Sequence, residues 1–258
     1  MPSTQRYDAI GIGYTTFRQA DPRITAQIWA AIGDADRILN VGAGTGSYER
    51  SDRSMVAVEP SVVMVHQRSG AVPVVRAVAE RLPFPDGSFD VALALMTVHH
   101  WKDLRQGLRE LRRVAPRQVV FTFDPSRHDS LWMFNEYVPA ALGLADDTPL
   151  DLVVGSLGRA RVEVVPTPAD CSDGFATAYW RRPEQYLSPT VRSNISAFAR
   201  LDPSLVDPGI ARLERDLASG VWHERHADLL SKDSIDAGLR LVIGGPDGPD
   251  GPYGPYGP

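Results

Sequence analysis

A chain of 258 residues fits one domain, or one domain with an insertion, and is long enough to bury a sizeable core. With 43% hydrophobic and 23% charged residues it has an ordinary globular composition, and a net charge of −5 without a dense basic cluster argues against a nucleic-acid partner. A lone cysteine, Cys171, excludes an internal disulfide framework, no apolar run reaches membrane-spanning length, and the first residues carry Arg6 and Asp8 without a secretory apolar core, so a cytoplasmic protein is expected.

The first glycine pair, Gly11-Ile12-Gly13-Tyr14, follows no convincing strand and is not read as a phosphate loop. Asp21-Pro22 offers an N-cap and a first-turn proline, and Ile24, Ile28 and Ile32 mark one face of a helix ending near Gly33. Residues 38–49 begin as an apolar strand and break into a loop with glycines at 42, 44 and 46. Glycine tolerates positive φ and lets a ligand approach the backbone, so this loop is built to touch something. A second apolar run, residues 55–58, ends in Glu59, and a carboxylate at the tip of a second parallel strand is well placed to accept hydrogen bonds from both ribose hydroxyls of a nucleotide. Gly-x-Gly-x-Gly is not the Gly-x-Gly-x-x-Gly of dinucleotide enzymes, which leaves an NAD(P)-dependent oxidoreductase as the less favoured alternative.

Strands are expected at 37–41, 55–59, 73–76, 89–95 and 118–123, with helices near 61–68 and 103–114. This alternation predicts an α/β fold with a parallel sheet covered on both faces. Pro116 stops the second helix. Further on, residues 131–142 read as a helix bearing Trp132, Phe134 and Tyr137, and 161–165 alternate like a strand. The long segment 166–236 carries Phe175, Tyr179, Trp180 and Tyr186 with helical patterns near 191–200 and 208–219. Residues 237–243 read as a last strand, and 244–258 form a Gly/Pro repeat expected to be a disordered tail.

Glu59-Pro60-Ser61-Val62-Val63-Met64 after the glycine loop, then Leu82-Pro83-Phe84-Pro85-Asp86-Gly87-Ser88-Phe89-Asp90, then His99-His100-Trp101-x-Asp103, make a set. It resembles the class I S-adenosylmethionine (SAM)-dependent methyltransferases, specifically their ubiquinone/menaquinone-type small-molecule branch, over roughly residues 38–124. The resemblance implies a Rossmann-like, seven-stranded, mostly parallel sheet with helices on both faces, its last two strands forming an antiparallel hairpin beside strand five. It divides the chain into an N-terminal lid and helix (1–36), a SAM-binding core (37–124), the remainder of the sheet with a helical cap insertion (125–243, the cap being about 125–158 and 166–236) and the tail. An oligomerisation element is the other reading of the insertion, and the chain is expected to be a monomer or homodimer.

What the resemblance implies for the site is specific. SAM would be held by Asn40, Gly42, Ala43, Gly44, Glu59, Pro60, Met64, Ala79, Glu80, Met96 and Thr97, with Tyr14 and Arg18 in the lid. Met64 is equally explained as core. Two positions depart from the family pattern: Asn40 stands where an acidic residue is common, and Val78 where an Asp often reads the adenine amino group, so that Glu80 or the Ala79 backbone would take over. His99 and His100 are candidate bases, imidazole titrating near neutrality, with a loop-fixing buried histidine as the competing reading. Trp101, Asp124, Trp132, Tyr179 and Trp180 are candidates to contact the acceptor, against an Asx-turn for Asp124 and core packing for the aromatics. No metal is expected, because no His, Cys or carboxylate cluster has ligand spacing. The function expected is methyl transfer from SAM, with S-adenosylhomocysteine (SAH) as product, to an O, N or C atom of a small metabolite, the proline- and aromatic-bearing cap fitting a natural-product or lipid-like acceptor. A non-catalytic SAM- or SAH-binding protein is the alternative.

Overall fold

The computed structural model describes residues 18–128, 131–142, 144 and 148–246, so Tyr14, the first glycine pair and the tail from 247 lie outside the described residues. The first helix, α1 (Pro22–Ile32), forms as its punctuation dictates. The Asp21 carboxylate accepts from the Arg23 amide at 2.9 Å, Pro22 opens the first turn, and Gly33 ends the helix at φ +64°. Its Ile24, Ile28 and Ile32 are fully buried against one face of the sheet.

That sheet contains β1 (Arg37–Val41), β2 (Ser54–Val58), β3 (Val74–Val75), β4 (Val91–Leu95), β5 (Arg117–Phe123), β6 (Ala160–Val164) and β9 (Leu239–Gly244) in the order β3-β2-β1-β4-β5-β9-β6. Strands β1 to β5 run parallel, whereas β9 is antiparallel to both β5 and β6, the hairpin arrangement expected at that edge. A small ladder joins β7 (Thr167–Pro168) to β8 (Ser234–Ile235). Helices α3 (Leu104–Val114) and α4 (Leu150–Leu157) cover the other face through Leu108, Leu111, Val153 and Leu157, and the short α2 (Val62–His66) follows β2. Strand order reverses between β1 and β4, and a crevice opens at their carboxyl ends.

The Leu82 to Asp90 motif proves to be scaffolding. Arg113 of α3 donates to the carbonyls of Leu82 and Phe84 and pairs with Glu110 and Asp86, while Arg37 grips Asp90 at 2.6 Å. Pro116 needs no glycine-rich turn, since β5 begins at the next residue.

Residues 131–229 supply a third apolar cluster, in which Trp132, Phe134, Tyr137, Trp180, Tyr186, Phe198, Leu213 and Trp222 are buried together. Here several boundaries differ from expectation. Residues 131–142 are not one helix: a π turn at Met133–Tyr137 gives way to a 3-10 turn at Pro139–Ala141, because Pro139 has no N–H to continue the ladder. The 191–200 pattern splits into Pro189–Ser193 and Ser196–Ala199. The next helix, α5 (Pro203–Ala218), starts earlier than Pro208 because Asp202 caps it, accepting from the Ser204 amide at 2.9 Å. Among the described residues no helix is long and apolar enough to cross a membrane.

Candidate active site

At the switch point the glycine loop turns back over β2. The amides of Gly42 and Ala43 both donate to the Val58 carbonyl, at 2.8 and 3.0 Å, which seats the loop on the neighbouring strand tip. Gly42 lies at φ +70°, and a β-carbon there would come within 2.1 Å of Thr97 Oγ1, so the β1 and β4 tips approach as closely as they do only because residue 42 has no side chain. Gly44, at φ +54°, has nothing within 4 Å of the same direction, leaving room above the loop.

Glu59 directly follows β2 and is 6% exposed. One oxygen accepts from the Gly44 amide and the other from the Ser61 amide, each at 2.8 Å. Burial raises its pKa above the usual carboxylate range, opposed by these two hydrogen bonds and by the Arg68 charge. Behind the loop Arg68 pairs with Glu49 and donates to the Gly44 carbonyl at 3.0 Å. Glu49 in turn accepts from the Asn40 amide at 2.9 Å. A carboxylate on that side fixes the amide's orientation, NH2 toward Glu49, and leaves Asn40 Oδ1 buried with no partner.

The resulting cleft opens to solvent at the carboxyl ends of β1, β2 and β4. Of the residues expected to hold a cofactor, Asn40, Gly42, Ala43, Gly44, Glu59, Pro60, Met64, Ala79, Glu80, Met96 and Thr97 all line it. Val78 lines it too and is 45% exposed, while one Glu80 oxygen is engaged by the amides of Lys102 and Asp103 at 2.7 and 3.1 Å. Met96, at φ +53°, is the sole non-glycine at positive φ among the described residues, a strain of the kind that gathers at functional sites.

The histidines divide. His100 and Trp101 line the cleft, whereas His99 turns away onto the Phe123 ring, 5.3 Å between centroids, and packs beneath His100 at 3.8 Å. Consecutive residues of a 3-10 turn point a third of a circle apart, so one imidazole reaches the cleft while its half-buried neighbour packs on Phe123. Four acceptor-side candidates also lie elsewhere. Asp124 forms the Asx-turn, accepting from the Ser126 amide and hydroxyl at 3.1 and 2.6 Å. Trp132, Tyr179 and Trp180 are core of the third cluster, Trp132 donating to the Trp180 carbonyl at 2.8 Å.

Sequence reasoning missed Thr45, Ser47, Tyr48, Ser61, Leu95 and Lys102 as lining residues. Tyr48 carried a usable signal, since it follows the glycine loop directly. No group of three or more His, Cys, Asp or Glu among the described residues is arranged to hold a metal.

This geometry agrees with comparisons to known proteins. A family model described as a methyltransferase domain matches residues 39–123. The crystal structure of a protein of Anabaena variabilis, described as a candidate methyltransferase from an antibiotic biosynthesis pathway, superposes with a TM-score of 0.82 at 32% identity, over 88% of this chain and 98% of that one. An uncharacterized methyltransferase of Bacillus subtilis is 29% identical over 48% of each chain. The ubiquinone/menaquinone biosynthesis C-methyltransferase of Stenotrophomonas maltophilia is 33% identical over 33% of this chain and 40% of its own. The chain thus spans about half or less of the length of these curated relatives. It belongs to the class I SAM-dependent methyltransferases.

Proposed function

We propose that this chain transfers the methyl group of SAM to an O, N or C atom of a small-molecule acceptor. The observation that carries the reading is the pair of acceptors set at one cleft, the Glu59 carboxylate anchored by two backbone amides and the unsatisfied, buried Asn40 Oδ1. A zwitterionic nucleoside ligand carries donors for both: ribose hydroxyls for Glu59 and an ammonium for Asn40, a neutral amide that accepts less strongly than a carboxylate. The open direction above Gly44 admits the ligand's closest approach, and Met64, Val78 and Ala79 wall the base by apolar contact.

Bound SAM supplies an activated methyl group on a sulfonium. The protein's part is alignment and exclusion of water, with His100 beside the cleft taking the proton that a hydroxyl or amine acceptor loses. His99 supports His100 by packing. The cap, residues 125–158 and 166–236 in this reading, bounds the acceptor side, and the Anabaena relative's description favours a natural-product acceptor.

Incubation with methyl-labelled SAM and a small-molecule extract tests the reading: one or more metabolites gain a methyl mass and SAH accumulates. Binding of SAH with no transfer to any acceptor is the outcome that a purely ligand-binding protein gives. His100→Ala lowers turnover far more than SAM affinity if the imidazole is the base, and an unchanged rate removes it from that role.

A further inference from the structure

We propose that Asp173, a cap residue outside the cleft lining, is a positioning residue for the cofactor site, acting through Tyr48 and Arg18. This rests on the reading of the cleft as a SAM site. Asp173 is wholly buried, and both its oxygens face the cleft wall. Oδ1 accepts from Arg18 Nε at 2.5 Å, and Oδ2 accepts from the Tyr48 hydroxyl at 2.5 Å and from Arg18 Nη2 at 3.3 Å. Tyr48 and Arg18 both line the cleft, beside the glycine loop and Asn40.

The arrangement has a backbone component as well. Arg18 and Asp173 form an antiparallel bridge, and the Arg18 carbonyl accepts from Ser47 Oγ of the glycine loop at 3.3 Å. Residue 18 is therefore clamped between the cap and the loop, and a single buried carboxylate sets the orientation of one cation and one phenol in the cleft wall. Burial, with the Asp173 charge next, pushes the Tyr48 phenol well above its ordinary pKa, in keeping with its hydroxyl donating to Asp173. The Arg18 side chain is 14% exposed, and losing the carboxylate would remove the two-point contact that holds its guanidinium against the cleft wall.

The test is isothermal titration of the full chain with SAH. Asp173→Asn is expected to weaken SAH binding about tenfold, the scale of losing hydrogen bonds to a charged group. Tyr48→Phe is expected to weaken it by a smaller factor, and the double variant to be no weaker than Asp173→Asn alone, since both changes cut one network. A merely structural role would lower the melting temperature yet leave the affinity of the folded molecules unchanged, because affinity falls only by the fraction not competent to bind. Folded Asp173→Asn that binds SAH like the parent overturns the proposal. If Asp173→Asn does not fold, Tyr48→Phe decides alone: it keeps the ring and loses only the hydroxyl, and unchanged SAH affinity overturns the proposal. Failure of the parent chain itself to bind SAH is a separate result, which sinks the SAM-site reading instead.

Discussion

Gly42 and Gly44 lie two residues apart with φ of the same sign, yet their missing side chains serve different ends. At Gly42 a methyl group meets Thr97 at 2.1 Å in addition to the left-handed strain, whereas at Gly44 it meets no protein atom. Gly42→Ala should therefore cost about 2–4 kcal/mol of stability in urea unfolding, and Gly44→Ala only about 1–2 kcal/mol while losing most SAM affinity, the methyl group occupying the ligand's approach. Equal losses of stability in the two variants would show that strain alone matters. Glu59 carries a second prediction. A carboxyl whose folded pKa is raised binds its proton more tightly folded than unfolded, so Glu59 subtracts stability at neutral pH, and that cost fades as pH falls through the raised pKa. Ligand affinity moves the other way, since ribose hydroxyls need the ionised form. SAH binding should weaken as pH drops through the raised Glu59 pKa, and Glu59→Gln should bind weakly with little pH dependence. Asn40 and Glu59 were legible in the sequence because each flanks a strand tip marked by glycines or an apolar run. The Tyr48 contact to Asp173 was not, for it joins residues 125 apart that share no local pattern.

At the scale of elements, α1 shows how a cap can bind two parts of the chain. The Asp21 carboxylate, wholly buried, receives the Arg23 amide and guanidinium and also the Ser172 amide at 3.1 Å, so the residue that starts the helix also holds the loop leading to Asp173. Burial alone would raise its pKa, but the hydrogen bonds from Arg23 and Ser172 outweigh it and hold the carboxyl well below the usual range. The sign follows: a depressed folded pKa gives stability that is complete above the unfolded value of about 4 and is lost as pH falls through the folded one. Asp21→Asn should be less stable than the parent at pH 6 by about 1–3 kcal/mol, with the gap narrowing toward pH 2 in chemical denaturation. A gap that stays constant with pH would mean that the charge contributes nothing. Helix α1 was readable from its Asp-Pro start, isoleucine spacing and glycine stop, and the sheet from runs whose period and turns agree. The cap was not, because its turns are short and proline-interrupted, Pro139 cutting one apparent helix, and because its aromatics look the same in sequence whether they line a pocket or pack on each other. Trp132 and Tyr179 both pack on Tyr186, and Trp180 is buried in the same cluster.

Across the whole molecule residues 166–236, the larger part of the proposed cap, leave from β6 and return at β9, yet β9 lies between β5 and β6 in the sheet. The sheet edge therefore cannot form until the chain has passed through the cap, and ordering the cap shortens the loop that the β6 and β9 pairing must close. The ties from Asp21 to Ser172 and from Asp173 to Arg18 and Tyr48 act in the same direction, joining cap to cleft. One cooperative transition is the consequence. Tryptophan reports on both parts, since Trp29 packs under the sheet while Trp132, Trp180 and Trp222 lie in the cap cluster. Thermal melts followed by tryptophan fluorescence and by far-UV circular dichroism should coincide. SAH at a hundredfold excess over its Kd should raise both by about 5–10 °C, from a linkage of about 2.7 kcal/mol spread over a chain of this size. NAD at the same concentration should leave them unmoved. Two separated transitions, with only one responding to SAH, would mean that the cap folds apart from the site and that its contacts to the glycine loop carry no coupling.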